Sequence, residues 1–166
     1  MKEKYIDECK QIKQNCEYTA ETHHWIAGWN RLLAYVFQIV PAVIAAVTAT
    51  LVAANVQPPS WLWVTVVSAV VVAIASVLDP NKQYQDHLSA AKAFTTLKHD
   101  ARFLHEAKSH TMTDEAFCQA VENLHEKYNE IVRISPPTNK RFFEIARAVI
   151  QSDRHEPDRN SDGAIR

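Results

Sequence analysis

Hydrophobic and polar positions divide the chain into three zones. Ahead of residue 32, polar residues are interleaved with Tyr5, Cys9, Ile12, Cys16 and Tyr18 at roughly helical spacing, which predicts an amphipathic helix over residues 1–31. From Leu32 to Leu78 no residue carries a charge. Within that zone, residues 32–54 form a helix long enough, at about 1.5 Å per residue, to cross a hydrocarbon layer about 30 Å thick. Residues 61–78 are shorter but meet the usual spanning length of about 17 to 25 residues. Between them NVQPPS, residues 55–60, holds two prolines that resist helix and permit a short turn. The pattern predicts a transmembrane hairpin.

Polar residues return at Asp79, which with Pro80 makes an N-cap and first-turn pair for a new helix. Tyr84, Leu88, Ala91, Phe94, Leu97, Ala101 and Leu104 then recur at helical spacing and give one apolar face that needs a partner. Thr113, followed by Asp114 and Glu115, starts another helix, striped by Phe117, Val121, Leu124, Tyr128 and Ile131 and ending near Ile134. After SPPTN, Thr138 is the expected cap of a last helix over residues 139–151, with Phe142, Ile145, Ala146 and Val149 on one face. Residues 79–152 therefore read as cytoplasmic helices, and 153–166 as a disordered tail too polar to pack. The expected fold class is all-α: a two-helix transmembrane hairpin whose long helices extend into a cytoplasmic helical bundle. So small a bundle buries little core alone, so a homo-oligomer is expected.

Basic residues set the orientation. Lys2, Lys4, Lys10, Lys13 and Arg31 precede the first span, Lys82, Lys92, Lys98 and Arg102 follow the second, and the turn has neither Lys nor Arg. The positive-inside rule then places both termini in the cytoplasm, as a multi-pass protein of the inner membrane. Trp25, Trp29 and Arg31 at one boundary, with Trp61 and Trp63 at the other, are the membrane-interface candidates, since amphipathic rings favour the headgroup region. A cleaved signal peptide would need a short basic start and an apolar stretch of only about 7 to 15 residues, which this chain lacks. Two buried core helices of a soluble protein would not account for adjacent charge-free runs joined by so short a turn.

Whole-chain composition hides this zoning. At 47% hydrophobic, 22% charged and a net charge of −1, the average is that of an ordinary soluble domain. The balance leaves no basic stripe for nucleic acid, and no direct nucleic-acid partner is expected. Cys9, Cys16 and Cys118 form no CxxC and read as reduced thiols on helices. With only two glycines there is no phosphate-cradling loop.

Inside the spans, Ala34, Gln38, Pro41, Ala45 and Thr48 recur at intervals of four and three residues, continuing a small and polar face begun by His23, Ala27 and Asn30. Thr65, Ser68, Val72, Ala75 and Asp79 keep a similar rhythm in the second span. Such faces let helices approach closely, or line a water-filled path once several hairpins assemble. Pro41 removes a backbone donor and offers either a hinge or a static kink.

Eight histidines raise the question of a metal. Glu21 with His24, and Glu122 with His125, each repeat the Glu-x-x-His spacing of di-iron carboxylate bundles, to which Glu106 or Asp100 would add a carboxylate. His99, Arg102 and His105 share one side of the third helix, as solvated contacts or a sensor of anions or pH. No nucleophile has an evident base and orienter, so no catalytic, cofactor or metal residue is assigned, and a di-iron oxidoreductase is the least favoured reading.

The amphipathic start with ETHHWIAGWNRLL, the tight hairpin, LDPNKQYQDHLSAAKAFTTLKHDARFL and the late helices around NEIVRISPPTNKRFFEIA resemble the SLATT domain over roughly residues 5–152. That resemblance implies a non-enzymatic membrane effector of prokaryotic antiphage and conflict systems, oligomerising into a pore that permeabilises the membrane after a cytoplasmic signal. The implied partners are the lipid bilayer, further copies of the chain, and a separately encoded sensor, nucleotide-second-messenger synthase or reverse transcriptase. The alternative is a passive membrane-tethered adaptor whose bundle recruits a partner.

Overall fold

The computed structural model describes residues 2–55 and 61–155. Its elements are α1 (Lys2–Ala53), α2 (Trp61–Leu78), α3 (Pro80–Phe103), a π-helical turn (Leu104–Lys108), α4 (Asp114–Ile134) and α5 (Lys140–His155). The fold is all-α, and no strand occurs among the described residues. The predicted first helix and first span are one helix of 52 residues, with Pro41 inside it. Of the predicted turn only Asn55 is described, at a φ of 55° that asparagine tolerates at a helix end. Residues 56–60 lie outside the described residues, as does the tail from 156 onward.

Contacts divide the chain into unit 1, Met1–Ile26 with Asp86–Arg166, and unit 2, Ala27–Gln85. Unit 1 holds the packed core. Cys9, Ile12, Cys16 and Ala20 of α1, Phe94, Leu97 and Ala101 of α3, and Phe117, Val121 and Leu124 of α4 form one buried cluster. These are the apolar stripes read from the sequence. Each helix contributes a narrow face, and the three faces together exclude water as no single one could. Helix α5 adds Ala146 and Ile150, and its Phe143 ring meets Tyr18 of α1 at 6.2 Å. Cys9 and Cys16 are free and buried, and burial pushes their thiols up to about 11 and about 12, which keeps them protonated and unreactive.

Helix ends in unit 1 follow local chemistry. Thr113 Oγ1 accepts from the Ala116 amide and starts α4, which ends at Ile134 as its stripe indicates. The last helix differs from expectation. Asn139, not Thr138, is its cap: Asn139 Oδ1 accepts from the Arg141 amide at 3.0 Å, so α5 begins at Lys140. It also runs on to His155, past the predicted end at residue 151. Helix α3 closes in a turn that the periodicity does not announce, where the Ser109 amide donates to the Leu104 carbonyl across five residues. Glu106, within that turn, bridges Lys13 of α1 at 3.2 Å and Arg102 of α3 at 2.9 Å. Those ion pairs, with Lys2 to Asp114 at 2.8 Å, lie near the surface where solvent screens them, and the two made by Lys2 and Lys13 orient α1 more than they stabilise it.

In unit 2, α2 and α3 are separated by Asp79 alone. Its amide still donates back to Ala75, while its Oδ1 accepts from the Lys82 amide at 3.1 Å, so one residue ends one helix and caps the next. Among the described residues two helical runs are long and apolar enough to cross a membrane, one in α1 and one beginning in α2, and no residue of either apolar window is buried.

The core assignment predicts a sharp contrast. Phe117→Ala, at a fully buried site, is expected to cost about 3 to 5 kcal/mol. Val132→Ala, at a position 48% exposed, should stay within about 0.5 kcal/mol. Thermal unfolding of the detergent-solubilised chain, followed by helical circular dichroism, measures both; equal losses would contradict the assignment of the core.

Candidate functional site

Within unit 2, the least exposed positions of α1 are Ala27, Asn30, Ala34, Phe37, Pro41, Ile44, Thr48 and Leu51, with Leu33 beside them. They recur at intervals of three and four without a break. On α2 the corresponding face carries Trp61, Val64, Thr65, Ser68, Val71 and Ala75. The two helices are joined where Trp61 Nε1 donates to Thr48 Oγ1 at 2.9 Å, while the same hydroxyl donates to the Ile44 carbonyl at 2.7 Å. A half-buried indole N–H favours such an acceptor, and this bond ties the start of α2 to α1.

The small and polar stripes therefore part company. Asn30, Ala34, Pro41 and Thr48, with Thr65, Ser68 and Ala75, lie on the sheltered faces, whereas Gln38 and Ala45 are exposed. In α2 it is Val71 that shares the face of Ser68; Val72 is 47% exposed, and Asp79 is exposed too. Valine, isoleucine, leucine and tryptophan dominate the outer surface, with Val43 55%, Val67 60% and Trp63 73% exposed. Arg31 sits at the edge of this apolar zone. Its guanidinium donates to the Tyr35 hydroxyl and lies 5.6 Å from the Tyr35 ring and 6.0 Å from the Tyr84 ring of α3. Cation–π contact on two rings holds a charge beside apolar helix while its head stays in water. Trp29 is 53% exposed on the same helix; Trp25, in unit 1, is 42% exposed.

Unit 1 contains a polar pair that spacing alone does not reveal. His23 of α1 and His87 of α3 are both buried, with their Nδ1 atoms 2.9 Å apart. At that distance one imidazole donates its Nδ1 proton and the other accepts with a bare Nδ1, so the two rings hold opposite tautomers. The His23 ring stacks on Phe94 at 5.7 Å and 16°. Beside it, buried Thr22 donates back to the Tyr18 carbonyl at 2.7 Å. Burial, with the neighbouring His87 and His24 rings, lowers the pKa of His23 to about 4. Burial also lowers His87, partly opposed by Asp86. Both rings are neutral at pH 7.

The other histidines are placed differently. His125 pairs with Glu8 at 3.1 Å and Glu122 accepts from the Tyr5 hydroxyl at 3.0 Å, both along an open groove of about 660 Å³ between α1 and α4. The two Glu-x-x-His pairs do not converge: His24 is exposed, and among the described residues no group of three His, Cys, Asp or Glu side chains is arranged to hold a metal ion. His99 and Arg102 border a shallow groove with Phe103 and Glu106, and Arg102 is engaged by Glu106.

Comparison with known proteins gives no match to this chain, whether with protein-family models, curated proteins or solved structures.

The His23 environment sets a pH dependence. A folded-state pKa of about 4 against an ordinary value of 6.5 means that the unfolded chain binds the proton more readily. Stability from this group is complete above about pH 6.5 and falls as pH drops to about 4, by about 3 kcal/mol. His23→Gln is expected to flatten that part of the pH–stability curve, and an unchanged slope in chemical denaturation would contradict it.

Proposed function

We propose that this chain is a membrane effector of a prokaryotic antiphage or conflict system, which oligomerises and permeabilises the inner membrane after a cytoplasmic signal. The observation that carries this reading is the exposed apolar surface of two helices long enough to span a bilayer. In water that surface would be an aggregation site; in lipid it is the expected exterior. The distribution of Lys and Arg favours both termini in the cytoplasm, and Trp25, Trp29, Trp61 and Trp63 suit the two interfacial belts. The resemblance to the SLATT domain supplies the effector role and the expectation of a separately encoded sensor, nucleotide-second-messenger synthase or reverse transcriptase as partner.

A single hairpin cannot enclose a channel, so conduction requires several copies. Gln38 is the polar residue best suited to face a neighbouring copy or a water path. It lies on α1 within the apolar zone but outside the sheltered face. Polar groups at such depth favour protein or water over lipid.

One observation favours a second reading. Thr48 and Trp61 bond to each other, so part of the polar stripe is occupied in joining α1 to α2. On that reading the spans only anchor, and the bundle of unit 1 recruits a partner.

Induced expression with a membrane-potential dye, in cells carrying the neighbouring genes and exposed to phage, separates the two. Loss of potential is expected; unchanged potential and growth would leave the tether. Gln38→Leu should reduce conductance in liposomes severalfold while membrane insertion, measured by carbonate extraction, stays the same. Equal conductance would remove Gln38 from the path. Replacing Trp25 and Trp29 together with alanine should lower the membrane-bound or oligomeric fraction, and unchanged values for both would refute their interfacial role.

A further inference from the structure

We infer that His23 and His87 form a proton-operated latch, closed while the two rings share a hydrogen bond across α1 and α3 and opened when the pair takes up protons. The latch lies where unit 1 gives way along the chain. His23 is four residues before the chain leaves unit 1 at Ala27, and His87 is two after unit 2 ends at Gln85. Below it on α1, the core contributed by Cys9, Ile12, Cys16 and Ala20 is apolar and insensitive to pH. The polar pair is a buried part of the α1–α3 contact and carries imidazoles, groups that a proton can address.

The sequence of events follows from atoms already placed. In the closed state one Nδ1–H points at the other ring's bare Nδ1 across 2.9 Å. A first proton can be taken on Nε2 of the donor ring with that bond intact, but it places a positive charge in a buried site. A second proton must occupy the accepting Nδ1, and two N–H donors then face each other. A doubly protonated ring has no acceptor to offer the other whichever way it is turned, so the rings part and hydrate. The charged or titratable groups bearing on the pair are His24 from α1, which opposes protonation, and Asp86 from α3, which favours it at His87. From α4 the approach is through Tyr128, whose ring meets Phe94 at 6.4 Å.

The latch stands on unit 1 alone. Its consequence for permeability rests on the proposed function: acid in the cytoplasm would loosen the bundle and favour the conducting state.

The test uses the full chain in lipid nanodiscs with nitrogen-15 histidine. At pH 7.5, His23 and His87 are expected as opposite neutral tautomers, and His23 should titrate at least one pH unit below the ordinary imidazole value of 6.5. Amide exchange at residues 20–26 and 86–91, corrected for intrinsic rates, should rise about tenfold or more between pH 7 and pH 5. The double variant His23→Gln, His87→Gln should lose that rise. Identical tautomers, or titration of both rings at the ordinary imidazole value, would overturn the latch even if the variant failed to fold. An undiminished rise in a folded double variant would overturn it as well. Dye release from vesicles at pH 5 and pH 7 then separates the two ideas: acid-dependent exchange without release at either pH leaves the latch standing and sinks the pore.

Discussion

An uncharged stretch from Leu32 to Leu78 constrains everything else in this protein. A backbone surrounded by so many apolar side chains must satisfy its own hydrogen bonds, and helix does this within a single segment. Inside unit 2 the two helices partner each other, and a hairpin shelters one face of each. Most of their valine and isoleucine side chains remain uncovered. Uncovered apolar surface of that extent suits helices long and apolar enough to cross a membrane.

Much of the architecture is legible in the sequence because the signals are local. Asp79 with Pro80 and Thr113 with its acidic first turn mark helix starts through hydrogen bonds made within three residues. The core faces of α3 and α4 follow from spacing, since Phe94, Leu97, Phe117 and Val121 have no other way to leave water together. Thr138 and Asn139 are both competent caps, and the choice of Asn139 depends on where the chain leaves SPPTN. The π-helical turn is tied to a bridge between Glu106 and Lys13, residues far apart in sequence.

The candidate sites were less legible, for a geometric reason. Counting by fours and threes groups Gln38 and Ala45 with Ala34, Pro41 and Thr48, yet a helix turns through 100° per residue and a small offset in phase moves a side chain to the flank. The same offset exchanges Val72 for Val71. His23 was visible as a member of a small polar face, but its partner lies 64 residues away, and two histidines leave no pairing signal as cysteines or opposite charges do. Pairing of neutral rings depends on tautomer and burial, which only the packed helices determine.

The unbroken alternation of three and four from Ala27 to Leu51 carries one more implication. A straight α-helix drifts by about 20° in each heptad relative to a seam repeating every 3.5 residues, so keeping that seam against a partner requires coiling. The sense of that coiling is left-handed. The spacing of side chains along one helix thereby favours one hand for its packing against the other.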